Sequence, residues 1–269
     1  MKPAEKLAWL KEILAEMGSA LIAYSGGTDS SFLAFVASGV LGRRALAVFE
    51  YSPVCPPQER DEAKSLAEKL GIRYLIIESD ELQNPLFVAN TQDRCYYCRQ
   101  ELFHKLKEIA AAEEIDWILD GSNFDDRDDF RPGRRAAAEL GVRSPLCEVG
   151  LTKDEIRKLS RDLALPTWDK PASPCLASRI PYGTQVTREI LNTISEGEKY
   201  LRSLGMRELR LRHHGDIARI EVDMEGMALL LDDGVRRQMV NKLKSLGYTY
   251  VTLDLAGYRS GSLNEKLLK

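Results

Sequence analysis

The hexapeptide Ser25-Gly-Gly-Thr-Asp-Ser30 constrains this chain more than any other stretch. It follows a short apolar run, Leu21-Ile-Ala-Tyr24, and precedes a segment with helical spacing over residues 30–38. Four apolar or aromatic residues closed by glycine read as a buried strand. Adjacent glycines reach positive φ and bring backbone N–H groups close to an anion. A helix starting there adds about half a positive charge and unpaired donors. The unit reads as a phosphate cradle, with Ser25 and Ser30 adding hydroxyls. The plain alternative is a tight turn that needs glycine for its shape alone. A Walker loop is excluded, because the Gly-Lys-Ser/Thr ending is missing.

The same alternation continues along the chain. Strands are expected over 45–51, 74–77 and 117–120, and helices over 4–17, 58–70 and 98–112. Thr152-Lys-Asp-Glu155 forms a capping box opening a further helix, which Pro166 closes. Strand–helix alternation implies βαβ units and a parallel sheet. From 165 to 183 the pattern breaks, with Pro166, Pro171, Pro174 and Pro181 in one aperiodic stretch. Beyond it come a helix over 187–204, strands over 209–213 and 217–222, a helix over 233–246 and a strand over 250–255. The expected organisation is a parallel α/β domain over 1–170, an active-site loop or linker over 171–186, and a small α+β domain over 187–269. The smaller domain is the candidate for substrate binding and oligomerisation.

Composition narrows the class. The chain has 269 residues, 44% hydrophobic and 29% charged, which is the balance of a globular protein. A net charge of −3 argues against a dedicated nucleic-acid binder. The most apolar stretch, 20–41, is interrupted by the polar hexapeptide, so no membrane span is expected. The N-terminus alternates charge with hydrophobe and lacks a signal-peptide core, which makes the cytoplasm the expected location. Five cysteines in so long a chain do not suggest a disulfide framework.

Those thiols then need other roles. Arg94-Cys95-Tyr-Tyr-Cys98-Arg99 holds a Cys-x-x-Cys pair, suited to zinc, to iron, or to a redox dithiol. The plain alternative is two small buried residues opening a helix. Lys170-Pro-Ala-Ser-Pro-Cys175-Leu-Ala-Ser178-Arg179 puts a thiol in a proline-stiffened loop, with Arg179 placed to lower its pKa. Cys147 reads as structural, near a strand. Cys55 lies after the second strand, at the carboxyl edge where such sheets bind ligands; it reads first as a structural thiol and second as a relay thiol or a fourth metal ligand. Asn123, Asp125 and Asp126 follow the fourth strand on the same edge, suited to a polar ligand or a divalent cation, or forming only a solvated acidic turn. Arg210 and Arg212 alternate with leucines on one strand. They suit bidentate contact with phosphate or carboxylate, the alternative being the solvent face of an antiparallel sheet. His213 and His214 read as turn residues, and Trp9, Trp117 and Trp168 as core or interface packing.

The hexapeptide resembles the pyrophosphatase loop of the PP-loop superfamily, whose members cleave ATP between the α and β phosphates and adenylate a carbonyl or carboxylate. Over nearly the whole chain the sequence resembles one branch, the LarE family of ATP-dependent sulfur insertases in nickel-pincer cofactor biosynthesis. The resemblance rests on residues 25–30, 120–146, 151–157, 170–183 and 211–222. It implies an adenine-nucleotide alpha-hydrolase-like fold, ATP with Mg2+, and a pyridinium-3,5-dicarboxylate mononucleotide substrate whose carboxylate becomes a thiocarboxylate. It implies ATP binding at Ser25, Gly26, Gly27, Asp29, Ser30, Asn123 and Asp126, and substrate binding at Ser178, Arg179, Arg210 and Arg212. Cys175 matches the family's catalytic cysteine, which in many members gives up its own sulfur. The additional Cys95 and Cys98 resemble the branch in which three cysteines hold a 4Fe-4S cluster that carries sulfide from a separate donor. The resemblance also implies a homo-oligomer. A tRNA thiolase of the same superfamily and a non-catalytic nucleotide- or metal-binding protein are the rival readings.

Overall fold

A computed structural model describes residues 1–127, 132–171, 173–259 and 263; residues 128–131 and 172, parts of two stretches that carry the resemblance, lie outside the described residues. The elements in order are α1 (Pro3–Met17), β1 (Ala20–Ala23), α2 (Thr28–Leu41), β2 (Ala45–Tyr51), α3 (Pro57–Lys69), β3 (Tyr74–Glu78), α4 (Pro85–Val88), α5 (Arg94–Ala112), β4 (Ile118–Leu119), α6 (Pro132–Glu139), α7 (Pro145–Glu148) and α8 (Lys153–Asp162). Then come α9 (Arg188–Ser203), β5 (Leu209–His214), β6 (Ile217–Val222), α10 (Met224–Leu231), α11 (Asp233–Ser245) and β7 (Tyr250–Leu253). Two units emerge: residues 1–81 with 92–173, and residues 82–91 with 174–269.

The first unit is built on a parallel sheet of order β3-β2-β1-β4. Side chains alternate across a strand, so an all-apolar strand serves two cores. Ala20, Ile22 and Phe49 join one core, with Leu10, Leu14, Phe32, Leu33 and Ile156. Leu21, Leu46 and Val48 join the other, with Leu102, Phe103 and Leu106 of α5. That placement brings the carboxyl ends of β1, β2 and β4 to one edge, where the polar motifs lie. Thr152 caps α8 as expected, accepting from Glu155 N, while Glu155 accepts from Thr152 N and from Lys6 of α1 at 2.7 Å.

The second unit has a three-stranded sheet of order β5-β6-β7, antiparallel between β5 and β6 and parallel between β6 and β7. Leu201, Leu209, Leu211, Ile220, Val222, Met239 and Leu243 fill its core. Residues 82–91 belong with this unit although the first unit surrounds them in sequence. Val186 N donates to Val88 O and Gly183 N to Asn90 O, each at 3.0 Å. The fully buried Asn90, at φ +51°, donates from its side chain to Pro181 O and Thr184 O at 2.9 and 2.7 Å.

Several local expectations shift. Helix α5 starts at Arg94 rather than at residue 98, so the Cys-x-x-Cys pair lies inside its first turns. Tyrosine and cysteine are weak helix formers, and tertiary packing overrides so small a preference. Cys147 sits on the short α7, which follows the bridge from Arg143 to Leu119 of β4. Trp9, Trp117 and Trp168 are 41%, 37% and 39% exposed, so none is a core residue. Trp117 and Trp168 instead lie under the guanidinium groups of Arg143 and Arg161.

Candidate active site

The glycine loop has the geometry its sequence requires. Gly26 sits at φ +69°, and a Cβ there would lie 3.0 Å from Ala63 Cβ of α3. Gly27 is the N-cap of α2, so the helix opens directly onto the loop. Ser25 and Ser30 hydroxyls lie 2.9 Å apart, and Ser25 N donates to Ser30 Oγ at 3.2 Å. The loop is thus closed by its own end residues, with the first N–H groups of α2 at its mouth.

The exit of β4 abuts this loop. Gly121 allows the approach, since a Cβ there would lie 3.0 Å from Ser30 N. The chain then turns through Asn123, whose N–H donates to Asp126 Oδ2 at 3.0 Å and whose side-chain oxygen accepts from Asp125 N at 2.9 Å. Asn123 Nδ2 lies 3.5 Å from Asp29 Oδ2. Lys153, the first residue of α8, donates to Asp29 Oδ2 at 2.7 Å and from its backbone to Asp125 Oδ2 at 2.8 Å. Asp29 Oδ1 is buried and has no hydrogen-bond partner among the described residues. Glycine loop, β4 exit and α8 start therefore converge on Asp29.

The segment preceding Cys175 is tied to the same loop. Thr28 Oγ1 donates to Thr167 O at 2.8 Å and reaches Lys170 O at 3.4 Å. Lys170 Nζ donates to Gly26 O at 3.3 Å and to Glu62 Oε2 at 3.0 Å. Ser173 Oγ donates to Glu59, which also accepts from the Cys55 thiol at 3.5 Å. Burial pushes the Glu59 carboxyl above its ordinary range, against the pull of those hydrogen bonds and of Lys170. Cys55 is thus held by a carboxylate on the ligand edge.

The second unit carries a buried charge cluster. Cys175 precedes a 3-10 turn over Leu176–Arg179. Arg179, 1% exposed, forks onto Glu198 of α9 at 2.8 and 3.0 Å. Its remaining nitrogen donates to Cys175 O at 3.1 Å and Ser178 Oγ at 2.9 Å, and also to Pro174 O. Burial alone would raise the Glu198 carboxyl, but Arg179, the Leu211 N–H and Arg210 hold it below its ordinary range. Arg212 forks onto Glu221, which is fully buried, at 3.0 and 2.9 Å and donates to Ser178 O at 2.7 Å. Arg210 donates to Leu209 O and to Tyr258 OH, at 2.8 and 3.0 Å. Burial and the charge of Arg179 pull the Arg210 guanidinium below its ordinary pKa.

The solvent-face alternative for the two arginines and the turn reading of the histidines do not hold. Arg210 and Arg212 are not on a solvent face: both are 6% exposed, on a strand buried on both sides. His213 and His214 end β5 rather than forming a turn, with His213 Nδ1 3.2 Å from Tyr248 OH. Ser178, Arg179 and Arg212 come together; Ser25, Gly26, Gly27, Asp29, Ser30, Asn123 and Asp126 come together in the other unit. Cys95 is exposed and Cys98 half-buried, one turn apart on α5 of the first unit, while Cys175 belongs to the second. Among the described residues no group of three His, Cys, Asp or Glu side chains is arranged to hold a metal ion. The sequence reading missed Lys153, Lys170, Glu198 and Glu221. Lys153 and Lys170 lie within stretches that carry the resemblance, but nothing in a lone lysine's spacing marks it as a loop ligand.

A glycine-rich strand–loop–helix at the carboxyl edge of a parallel sheet, with an acidic loop and a lysine closing on its aspartate, defines an ATP-using enzyme of the PP-loop class. The NAD synthase family model matches residues 4–101. A glutamine-hydrolyzing GMP synthase component of Thermoplasma volcanium is 30% identical over 66% of this chain and 61% of its own. Full-length relatives are more specific. An uncharacterized protein of Synechocystis is 44% identical over 98% of both chains. The pyridinium-3,5-bisthiocarboxylic acid mononucleotide synthase of Lactiplantibacillus plantarum is 41% identical over 99% of this chain and 96% of its own. The chain belongs to this family, the LarE family. No helix among the described residues is long and apolar enough to cross a membrane.

Proposed function

We propose that this protein inserts sulfur into a pyridinium-3,5-dicarboxylate mononucleotide with cleavage of ATP. The observation that carries the reading is the full-length likeness to the Lactiplantibacillus plantarum synthase. A substrate carboxylate oxygen attacks the α phosphorus, the bond to the bridging oxygen breaks, and pyrophosphate leaves with the electron pair. Gly26, Gly27, Ser25 and Ser30 at the head of α2 receive the pyrophosphate. Asp29 Oδ1, buried without a partner among the described residues, is a hard oxygen donor suited to magnesium arriving with ATP, while Asn123 and Asp126 shape the adjoining loop. Arg210, Arg212, Arg179 and Ser178 take the substrate's anionic groups in the second unit. Sulfur then attacks the acyl carbon and AMP leaves.

Cys95, Cys98 and Cys175 are the residues that would hold a 4Fe-4S cluster; thiolates are the fitting donors, and a Cys-x-x-Cys turn supplies two of them. When bound, such a cluster supplies an iron without a protein ligand, able to accept an exogenous sulfide. In a second reading the Cys175 thiolate attacks the acyl carbon and AMP leaves; loss of the Cα proton and cleavage of the Cβ–S bond then release the thiocarboxylate and leave dehydroalanine at residue 175. The protein acts in the cytoplasm as a homo-oligomer, without nucleic acid.

Anaerobic purification with iron and sulfide analysis, followed by intact mass after turnover with ATP, substrate and sulfide, separates the readings. Iron lost in Cys95→Ser and several products per chain support the cluster. Dehydroalanine at residue 175 with at most one product per chain supports sacrifice. Absence of substrate-dependent pyrophosphate release overturns both.

A further inference from the structure

Lys170 is fixed to the glycine loop at both ends. Its carbonyl lies 3.4 Å from Thr28 Oγ1, at the first turn of α2. Its ammonium lies 3.3 Å from the carbonyl of Gly26, the residue at φ +69°. The loop amides face a phosphate as neutral dipoles, and this side chain adds a full positive charge beside them. Its counter-ion is Glu62, 3.0 Å away and 54% exposed. A pair so open to solvent holds its lysine weakly. A multiply charged pyrophosphate attracts this ammonium more strongly than one half-hydrated carboxylate does, while the Glu59 carboxyl, which Lys170 also pulls on, is held toward its neutral form by burial.

We propose that Lys170 is a catalytic residue of the adenylation step, its ammonium leaving Glu62 for the oxygens of the departing pyrophosphate. The assignment rests on the glycine loop being the pyrophosphate site. As the α phosphorus bonds to the substrate carboxylate, its bond to the bridging oxygen breaks and the electron pair becomes charge on pyrophosphate. Lys170 remains protonated throughout and neutralises that charge, so no proton is transferred. Charge that develops only as the bond breaks is bound more tightly in the transition state than in ATP, which accelerates the step rather than strengthening binding.

The test is single-turnover pyrophosphate release with ATP and the pyridinium-3,5-dicarboxylate mononucleotide, together with ATP affinity and thermal unfolding. Lys170→Ala is expected to slow release about 100-fold, with ATP Kd changed less than about 5-fold and the unfolding temperature unchanged. Lys170→Arg, keeping the charge, is expected to restore the rate to within about 10-fold of the native protein. Lys170→Ala releasing pyrophosphate within about 3-fold of the native rate overturns the proposal. So does equal loss of rate and ATP affinity, which makes the lysine a ground-state or structural contact. Gly26→Val distinguishes the underlying reading. If it too leaves release intact, the loop is not the pyrophosphate site; if it abolishes release while Lys170→Ala does not, only the lysine's role fails.

Discussion

Replacing Glu198 tests how the cysteine loop is held. Arg179 is 1% exposed and Glu198 4%, and the two are joined by two short hydrogen bonds. Removing one partner of such a pair strands the other charge away from water, at a cost of about 3–5 kcal/mol. Glu198→Gln keeps an oxygen that can accept from Leu211 N, now at 3.1 Å, and falls at the lower end; Glu198→Ala falls at the upper. With a slope of about 1–3 kcal/mol/M, the urea midpoint drops by at least about 1 M. The carboxyl is held below its ordinary pKa, so its stabilisation is complete above the unfolded value, about 4.3, and is lost as pH falls through the folded one. Wild type and Glu198→Gln therefore converge in stability below that window and diverge above it. Because Arg179 also grips Cys175 O, sulfur transfer falls further than pyrophosphate release. Urea unfolding between pH 3 and 8 and the two activity assays check this. A loss under about 1 kcal/mol at pH 7, or equal loss of both activities, refutes the reasoning.

Gly26→Val, which meets both a positive φ and Ala63, abolishes ATP binding by isothermal titration, whereas Gly27→Val, whose Cβ comes only within 3.4 Å of Ser25 Oγ, keeps the fold by circular dichroism and loses pyrophosphate release. Arg212→Ala leaves Glu221 with Arg219 at 3.1 Å, costs about 3 kcal/mol in urea unfolding, and raises the substrate KM at least 10-fold with ATP affinity unchanged; equal weakening of both ligands counts against it. Glu81, buried beside Glu50 and Glu101 and pushed up to about 7 chiefly by burial, binds a proton more tightly folded than unfolded. Stability therefore falls by about 1–3 kcal/mol as pH rises from about 4.5 through 7, and Glu81→Gln flattens that slope in pH-dependent thermal unfolding.

The elements that were legible in sequence are those whose signal is local. Ile22 and Leu21 declare a strand buried on both faces, and Thr152 with Glu155 declares the start of α8, because capping and alternation are decided within a few residues. Arg210 and Arg212 alternate with leucines as a half-exposed strand does, so their pattern misleads. Their burial depends on Glu221, Ser178 and Tyr258, distant in sequence. Lys153 and Lys170 were illegible for the same reason: each acquires meaning only from a loop residue more than 100 positions away. Glu198 could be read only as one more polar residue of α9 until Arg179 was seen against it.

The detour of residues 82–91 imposes an order on synthesis. Asn90 leaves the ribosome 91 and 94 residues ahead of the two carbonyls its side chain satisfies. At about 5–20 residues per second, that is roughly 5–20 s during which the amide is exposed to water. The second unit cannot close until the first has been translated around its missing piece. A fragment beginning at residue 174 would inherit the sheet but not the decapeptide that satisfies those carbonyls, so neither unit is a module that recombination can move with a single crossover.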